Sequence, residues 1–386
     1  MKDIPYARQD ISQADIDAVV RVLGSDWLTQ GPAIEQFEES VATSCGARYA
    51  TAVCNATAAL HLACRALELG PGDWLWTSPN TFVATANCAL YCGASVDFVD
   101  IDPRTYNMSV DQLEAKLVLA EATGRLPKIV VPVHFGGQSC DMAAIGALAR
   151  RFGFSVIEDA SHAIGASDGA ARVGSCIHSD ITVFSFHPVK IMTTGEGGML
   201  LTNRAEIDAR LRLLRSHGIT RDPSLMDQAS HGPWYYQQTE LGYNYRITDI
   251  QAALGLSQLD RLDEFIERRH TLASNYELLL AELPLIRPYQ RPDTRSAWHL
   301  YVVRVPGDTR NARGEVFAKL RENGILVNVH YIPVHIQPYY RKLGFRAGDF
   351  PEAESYYAEA ISLPMFFGLS RDDQERIAGQ LSSALA

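Results

Sequence analysis

The chain has 386 residues, 47% of them hydrophobic and 21% charged, with a formal net charge of −10 and a pI near 5.6. At roughly 150 residues per domain this length points to two domains or three, and the composition excludes wholesale disorder. The acidic balance excludes a global basic field for nucleic acid, and no run of about 18 apolar residues marks a membrane span.

In chain order, the opening MKDIPYARQD lacks the apolar core of a signal peptide. Ser12 to Gly24 reads as a capped helix with Ile16, Val19, Val20 and Leu23 on one face. Gly31-Pro32 opens a second helix that ends at Gly46. Strands are then expected at 49–53, 74–77, 95–99, 128–133, 154–158, 181–185 and 198–202. Helices are expected between them at 56–69, 81–91, 109–123, 141–152 and 203–216. This alternation predicts an α/β fold whose mostly parallel sheet is covered on both faces.

The pattern changes after residue 217. Residues 218–246 are rich in Gly, Pro, Tyr and polar side chains, and a loop this long is usually functional. A long helix is expected from Thr248 to Leu283, kinked near Asp260. Beyond it come a strand at 299–305, a helix at 312–323, a strand at 325–330, and helices near 351–361 and 370–385. The expected organisation is a large domain at 1–250 and a smaller α+β domain at 251–386, joined by the long helix. The seven cysteines form no C-x-x-C pair, so free thiols and a cytoplasmic location are expected.

Open α/β sheets bind ligands at the carboxyl ends of their strands, and five constellations sit there. Only 6 of the 35 basic residues are lysines, so Lys190 stands out in Ser185-Phe186-His187-Pro188-Val189-Lys190. A partly desolvated lysine loses its proton readily and can form a Schiff base with a carbonyl. The plainer reading is a loop lysine that snorkels to solvent. Asp159 ends the apolar strand Val156-Ile157-Glu158, with His162 three residues on. Together they can reach two polar atoms of one ligand, or serve as a helix cap and a packed His. Asn55-Ala56-Thr57-Ala58 opens a helix, a ready site for an anion or a plain helix start. Phe82, just after a strand, can stack on a flat heterocycle or pack in the core. Leu241 to Arg246 (LGYNYR) ends the long loop and either serves a site or caps the next helix.

Other chemistries fit less well. No Walker loop, G-x-G-x-x-G or G-x-S-x-G occurs. His330 and His335 lie five apart, an unusual ligand spacing, and no metal site is expected. With Tyr339 they read better as the lining of a polar cleft or domain seam.

Taken in order, the five constellations resemble the fold-type I pyridoxal phosphate enzymes, and among them the DegT/StrS nucleotide-sugar aminotransferase family. The resemblance runs from Trp27-Leu28-Thr29-Gln30-Gly31-Pro32 to Ser362-Leu363-Pro364-Met365. It implies that Lys190 carries the cofactor as a Schiff base and later shuttles the proton. It implies that Asp159 pairs with the pyridine nitrogen, that His162 lies beside the phenolic oxygen, and that Phe82 stacks on the ring. Thr57, Ala58 and Ser185 match the phosphate cradle. Asn244 matches a residue that reaches the phosphate from the neighbouring subunit, which implies a homodimer. Tyr6, Trp27, His330 and Tyr331 are the expected substrate lining, each with ordinary packing as the alternative.

Ser185 to Lys190 (SFHPVK), Thr193 to Gly198 (TTGEGG), Ser78 to Ala84 (SPNTFVA) and Asn87 to Ala94 (NCALYCGA) resemble the branch that serves pseudaminic acid synthesis. That branch implies L-glutamate as donor and a UDP-linked 4-keto sugar as acceptor. Another keto sugar, or a non-catalytic sensor protein on the same fold, are the alternatives. A nicotinamide oxidoreductase would require a glycine-rich fingerprint where Asn55-Ala56-Thr57-Ala58 stands.

Overall fold

In the computed structural model, residues 3–307 and 310–386 are described. The N-terminal part comprises β1 (Ile4–Pro5), α1 (Gln13–Leu23), α2 (Pro32–Cys45), β2 (Tyr49–Val53), α3 (Ala56–Ala66) and β3 (Trp74–Thr77). Then follow α4 (Ala84–Tyr91), β4 (Ser95–Phe98), α5 (Val110–Thr123), β5 (Ile129–Val131), α6 (Met142–Phe152) and β6 (Ser155–Asp159). β7 (Ile181–Ser185), β8 (Gly198–Thr202) and α7 (Ala205–Arg215) complete this part. One seven-stranded sheet runs in the order β2-β8-β7-β6-β5-β3-β4. Only β8 runs against its neighbours, β2 and β7. This is the mostly parallel α/β sheet expected from the sequence.

The strands form where short apolar runs can be buried on both faces. Every residue of β5 and β7 is buried, as a parallel strand between helical layers requires. α3, α4 and α7 pack on one face, through Leu60, Leu62, Ala89 and Leu211. α2 and α8 (Asp249–Leu259) cover the other with Phe37, Val41 and Ala252. Helix starts are capped from nearby and from afar. Asn55 Oδ1 accepts Ala58 N–H at 2.8 Å, whereas Asp249 accepts Gly31 N–H at 2.7 Å and Ala33 N–H at 3.0 Å across 216 residues or more.

The expected long helix is two helices. α8 stops at Leu259, and α9 (Leu262–Leu279) starts after a break at Asp260 and Arg261. Arg261 is held there by Asp10 at 2.8 Å and Glu264 at 3.1 Å. α9 packs Phe265 and Ile266 against the sheet-side core and Leu272 and Tyr276 into a separate cluster. That cluster includes β9 (Tyr301–Arg304), α10 (Arg310–Glu322), β10 (Ile325–Leu326), β11 (Ala360–Leu363) and α11 (Arg371–Leu385). Two expectations shift here. The strand at 325–330 is only two residues long and pairs with β1. The helix near 351–361 ends at Glu359, and Ala360–Leu363 turns into a strand against β9.

The 218–246 segment contains a two-residue pairing of Ile219–Thr220 with Gln237–Gln238, a short 3₁₀ turn at Pro223–Leu225, and isolated bridges from Asn244 to Ser216 and from Arg246 to Val53. No helix among the described residues is long and apolar enough to cross a membrane.

Gly198 is where β8 meets both β2 and β7, opposite Val53 and Ser185. A Cβ there would lie 2.6 Å from the Asn55 carbonyl carbon and 2.8 Å from Ala56 N. Backbone cannot rotate aside as a side chain can, so Gly198→Ala is expected to destabilise by about 1–3 kcal/mol. A thermal melt should show a lower Tm; an unchanged Tm would contradict this reading.

Candidate active site

The carboxyl ends of the strands and the first turns of α3 and α4 enclose a cavity of about 520 Å³. Thr57, Phe82, Asp159, His162, Ser185 and Lys190 line it together, although they lie on four separate stretches of chain. Tyr6, His330 and Tyr331 line it too. Ala58 is buried in the first turn of α3, just behind that lining. Trp27 and Asn244 are elsewhere. Trp27 borders a second cavity beside α1, α2 and α8, and Asn244 is an exposed residue that bridges to Ser216.

Glu158 and Asp159 are neighbours on β6, so they point to opposite faces. Glu158 accepts from Thr182 at 3.1 Å and pairs with His134 at 2.7 Å, away from the cavity. Asp159 turns into the cavity and is only 5% exposed. Ser161 N–H donates to Oδ1 at 3.1 Å, and the Thr85 hydroxyl donates to Oδ2 at 2.6 Å. Thr81 Oγ1 lies 2.8 Å behind Thr85 Oγ1.

His162 is fixed by two elements. Gly136 N–H donates to Nδ1 at 3.3 Å, and Nε2 lies 3.2 Å from the Tyr331 hydroxyl. A backbone N–H can only donate, so Nδ1 is bare and the neutral ring carries its proton on Nε2. Burial, then the Lys190 charge and His330, hold His162 well below the usual imidazole range. His330 is pushed down to about 3, first by burial and then by Lys190, and its Nδ1 contacts Ser362 Oγ at 2.8 Å.

Lys190 itself is pushed down to about 8 by burial, against the opposing pull of Asp159. The site therefore holds a lysine near its neutral point beside two buried imidazoles, His162 and His330, that stay uncharged. Such an amine can act as a nucleophile and as a base near neutral pH.

The first turn of α3 faces the same space. Asn55 occupies the Ala58 N–H, and among the described residues no hydrogen bond engages the N–H groups of Ala56 and Thr57. Free N–H groups at a helix start, with the helix dipole behind them, suit an anion. The Phe82 ring is 58% exposed and lines the cavity, an unusual condition for a large aromatic unless a flat partner covers it.

Residues 9–382 match the model of the DegT/DnrJ/EryC1/StrS aminotransferase family. The chain belongs to that family. It is 43% identical to the spore coat polysaccharide biosynthesis protein SpsC of Bacillus subtilis, over 97% of this chain and 95% of SpsC. Its fold is similar to that of Helicobacter pylori PseC, an aminotransferase involved in pseudaminic acid biosynthesis. That match has TM-score 0.91 and 29% identity and covers 100% of this chain and 99% of PseC. The Streptococcus pneumoniae protein Spr1654, solved in PLP and PMP forms, matches at TM-scores of 0.90 and 0.91 with 29% identity. Both forms cover 99% of this chain, and this chain covers 98% and 99% of them.

The chain is thus a pyridoxal phosphate-dependent sugar aminotransferase. Its cavity suits that cofactor on its own donor set: an uncovered aromatic ring, free helix N–H groups, a buried carboxylate and a lysine of lowered proton affinity. Among the described residues no group of three or more His, Cys, Asp and Glu could hold a metal ion.

Sequence reasoning passed over two residues here. Thr85 lies one helical turn beyond Thr81, and a pair of hydroxyls at i and i+4 beside an aromatic was a usable signal. His299 lines the cavity 4.3 Å from the His162 ring, with its Nδ1 buried and unpartnered. It sits beside an apolar strand and carried no local signal.

In the apoprotein, Lys190 should reach half-maximal labelling by an amine reagent near pH 8. Exposed lysines should need a pH of roughly 10 or more. Peptide mapping across a pH series checks this, and labelling of Lys190 only in step with the other lysines would contradict it.

Proposed function

We propose that the protein transfers an amino group from L-glutamate to the 4-keto carbon of UDP-2-acetamido-2,6-dideoxy-β-L-arabino-hex-4-ulose. The product is then UDP-4-amino-4,6-dideoxy-N-acetyl-β-L-altrosamine, a step of pseudaminic acid biosynthesis in the cytoplasm. The observation that carries the reading is one cavity joining a lysine of lowered proton affinity, a buried carboxylate and an uncovered aromatic ring. The resemblance of the SPNTFVA, NCALYCGA and TTGEGG strings, and the likeness to PseC, support the sugar.

In this reading Lys190 would bind the cofactor, and Phe82 would cover its ring. Thr57 and Ser185 hold its phosphate beside the start of α3. Ala58 contributes through its place in that turn, since its own N–H already serves Asn55. When bound, pyridoxal phosphate supplies an electron sink for negative charge at the substrate carbon. Asp159 holds the proton on the pyridine nitrogen, because opposite charge favours the protonated ring. His162 offers its Nε2 proton to the phenolic oxygen. Lys190 Nζ, neutral above about pH 8, would be the base that takes the proton from the amino-bearing carbon and gives it back on the other side of the shared nitrogen. Tyr6, His330 and Tyr331 line the acceptor side.

Trp27 and Asn244 lie outside their own chain's cavity, so their roles rest on a second subunit. An isologous homodimer would bring the partner's copies of these residues to each site. The division into 1–250 and 251–386 belongs to the same proposal.

The identity to SpsC favours a second reading, an aminotransferase for another 4-keto or 3-keto nucleotide sugar. Incubation with a panel of nucleotide keto sugars and L-glutamate separates the two. The first reading expects the 4-amino product from the UDP-linked substrate by mass spectrometry and NMR. Turnover of a different keto sugar alone would favour the second. Lys190→Ala should lose the visible absorbance of the lysine-bound cofactor and at least about 10³-fold in rate. Wild-type turnover by that variant would end both readings.

A further inference from the structure

Asp159 is served by a hydroxyl pair whose direction is set by charge. A carboxylate only accepts hydrogen bonds, so the Thr85 O–H at 2.6 Å must donate to Oδ2. The Thr85 oxygen is then free to accept, and the Thr81 O–H at 2.8 Å donates to it. Thr81, Thr85 and Asp159 are each 5% exposed or less, so water does not compete for these bonds. Both hydroxyl dipoles therefore point at the carboxylate, from the same turn that carries Phe82. A hydrogen bond to a charged group is shorter and roughly twice as strong as a neutral one, and a second donor behind it strengthens it further.

We infer that Thr85 is a positioning residue for the amino transfer: it holds Asp159 so that the carboxylate leaves its proton on the cofactor's ring nitrogen. The inference rests on the proposed pairing of Asp159 with that nitrogen. In a carboxylate–pyridine pair one proton is shared, and its position follows the relative basicity of the two ends. Donation by Thr85 lowers the basicity of the oxygen, which moves the proton toward nitrogen. Without Thr85 the oxygen competes better for the proton, the ring withdraws electrons less, and loss of the substrate's carbon-bound proton slows. No atom is gained or lost. The proton only shifts between Oδ and N, and Lys190 still does the chemistry at carbon.

The same turn gives the residue a second task. Phe82 lies between Thr81 and Thr85 in sequence, so the backbone that presents the aromatic ring also sets the hydroxyl pair. Thr81→Val should therefore act weakly and in the same direction, by removing the second donor while the first remains.

The test uses the holoprotein with L-glutamate in single turnover, followed by absorbance. Thr85→Val is expected to slow the half-reaction by roughly 10- to 100-fold and to move the acid limb of its pH profile to higher pH. Cofactor affinity, titrated on the apoprotein, should stay within about threefold of wild type. Thr85→Ser, which restores the hydroxyl, should recover both rate and pH profile, and it covers the case in which the valine variant folds poorly. A Thr85→Val protein with the wild-type pH limb and rate overturns the inference. So does a serine variant that folds but does not recover the profile. Asp159→Asn tells the two layers apart: if it reacts at the wild-type rate, the pairing itself is wrong. If it is inactive while Thr85→Val is unaffected, only the role of Thr85 fails.

Discussion

A carboxylate cannot be buried cheaply unless donors meet it, and the architecture around β6 answers that demand at Asp159. One donor is local, the Ser161 N–H in the turn that follows the strand. The other comes from α4, which begins directly after β3, two strands away in the sheet. The sheet order therefore matters chemically. Placing β5 between β3 and β6 gives the first turn of α4 the reach to arrive over the end of β6. The preceding residue shows the same demand met differently. Glu158 faces the opposite side, away from the Lys190 cavity, and is satisfied by His134, Ser179 and Thr182.

Burial also organises the rest of the cavity. Desolvation lowers the proton affinity of Lys190, His162, His299 and His330 alike. Lys190 is thus an ammonium set beside three buried imidazoles whose charged form is disfavoured. The free N–H groups at the start of α3 can meet an anion without a basic surface. This reconciles a net charge of −10 with an anionic cofactor, because the field of a helix terminus is local and the total charge is not.

Much of this was legible in the sequence, for a physical reason. Parallel strands buried on both faces appear as short apolar runs, and their carboxyl ends are where side chains become polar again. Asp159 and Lys190 stand at such ends, and so were found together with Phe82 and the start of α3. What was missed lacks that punctuation. Ala360–Leu363 continues the apolar positions of the preceding helix, and only its pairing with Tyr301–Arg304 makes it a strand. His299 is placed by tertiary packing alone. Thr85 is an ordinary helix residue until the sheet brings Asp159 to it. Trp27 shows the reverse case: a sequence string pointed to it, yet in its own chain it borders a different cavity.

The close backbone approach at Gly198 coincides with the turn proposed to hold the anion, and the two have one cause. β8 runs antiparallel between β2 and β7, so its first residue stands opposite the last residue of each. The chain leaves β2 at Val53 to begin α3, and leaves β7 at Ser185 on its way to Lys190. Whatever stands at position 198 separates the two exits. A side chain there would push Asn55 away, and Asn55 is the residue that caps α3 and sets its first turn. Glycine lets the exits close to backbone contact, which brings Thr57 and Ser185 to the same cavity. Stability and ligand geometry at this point cannot be varied separately, because the atoms that would clash are those that carry the cap.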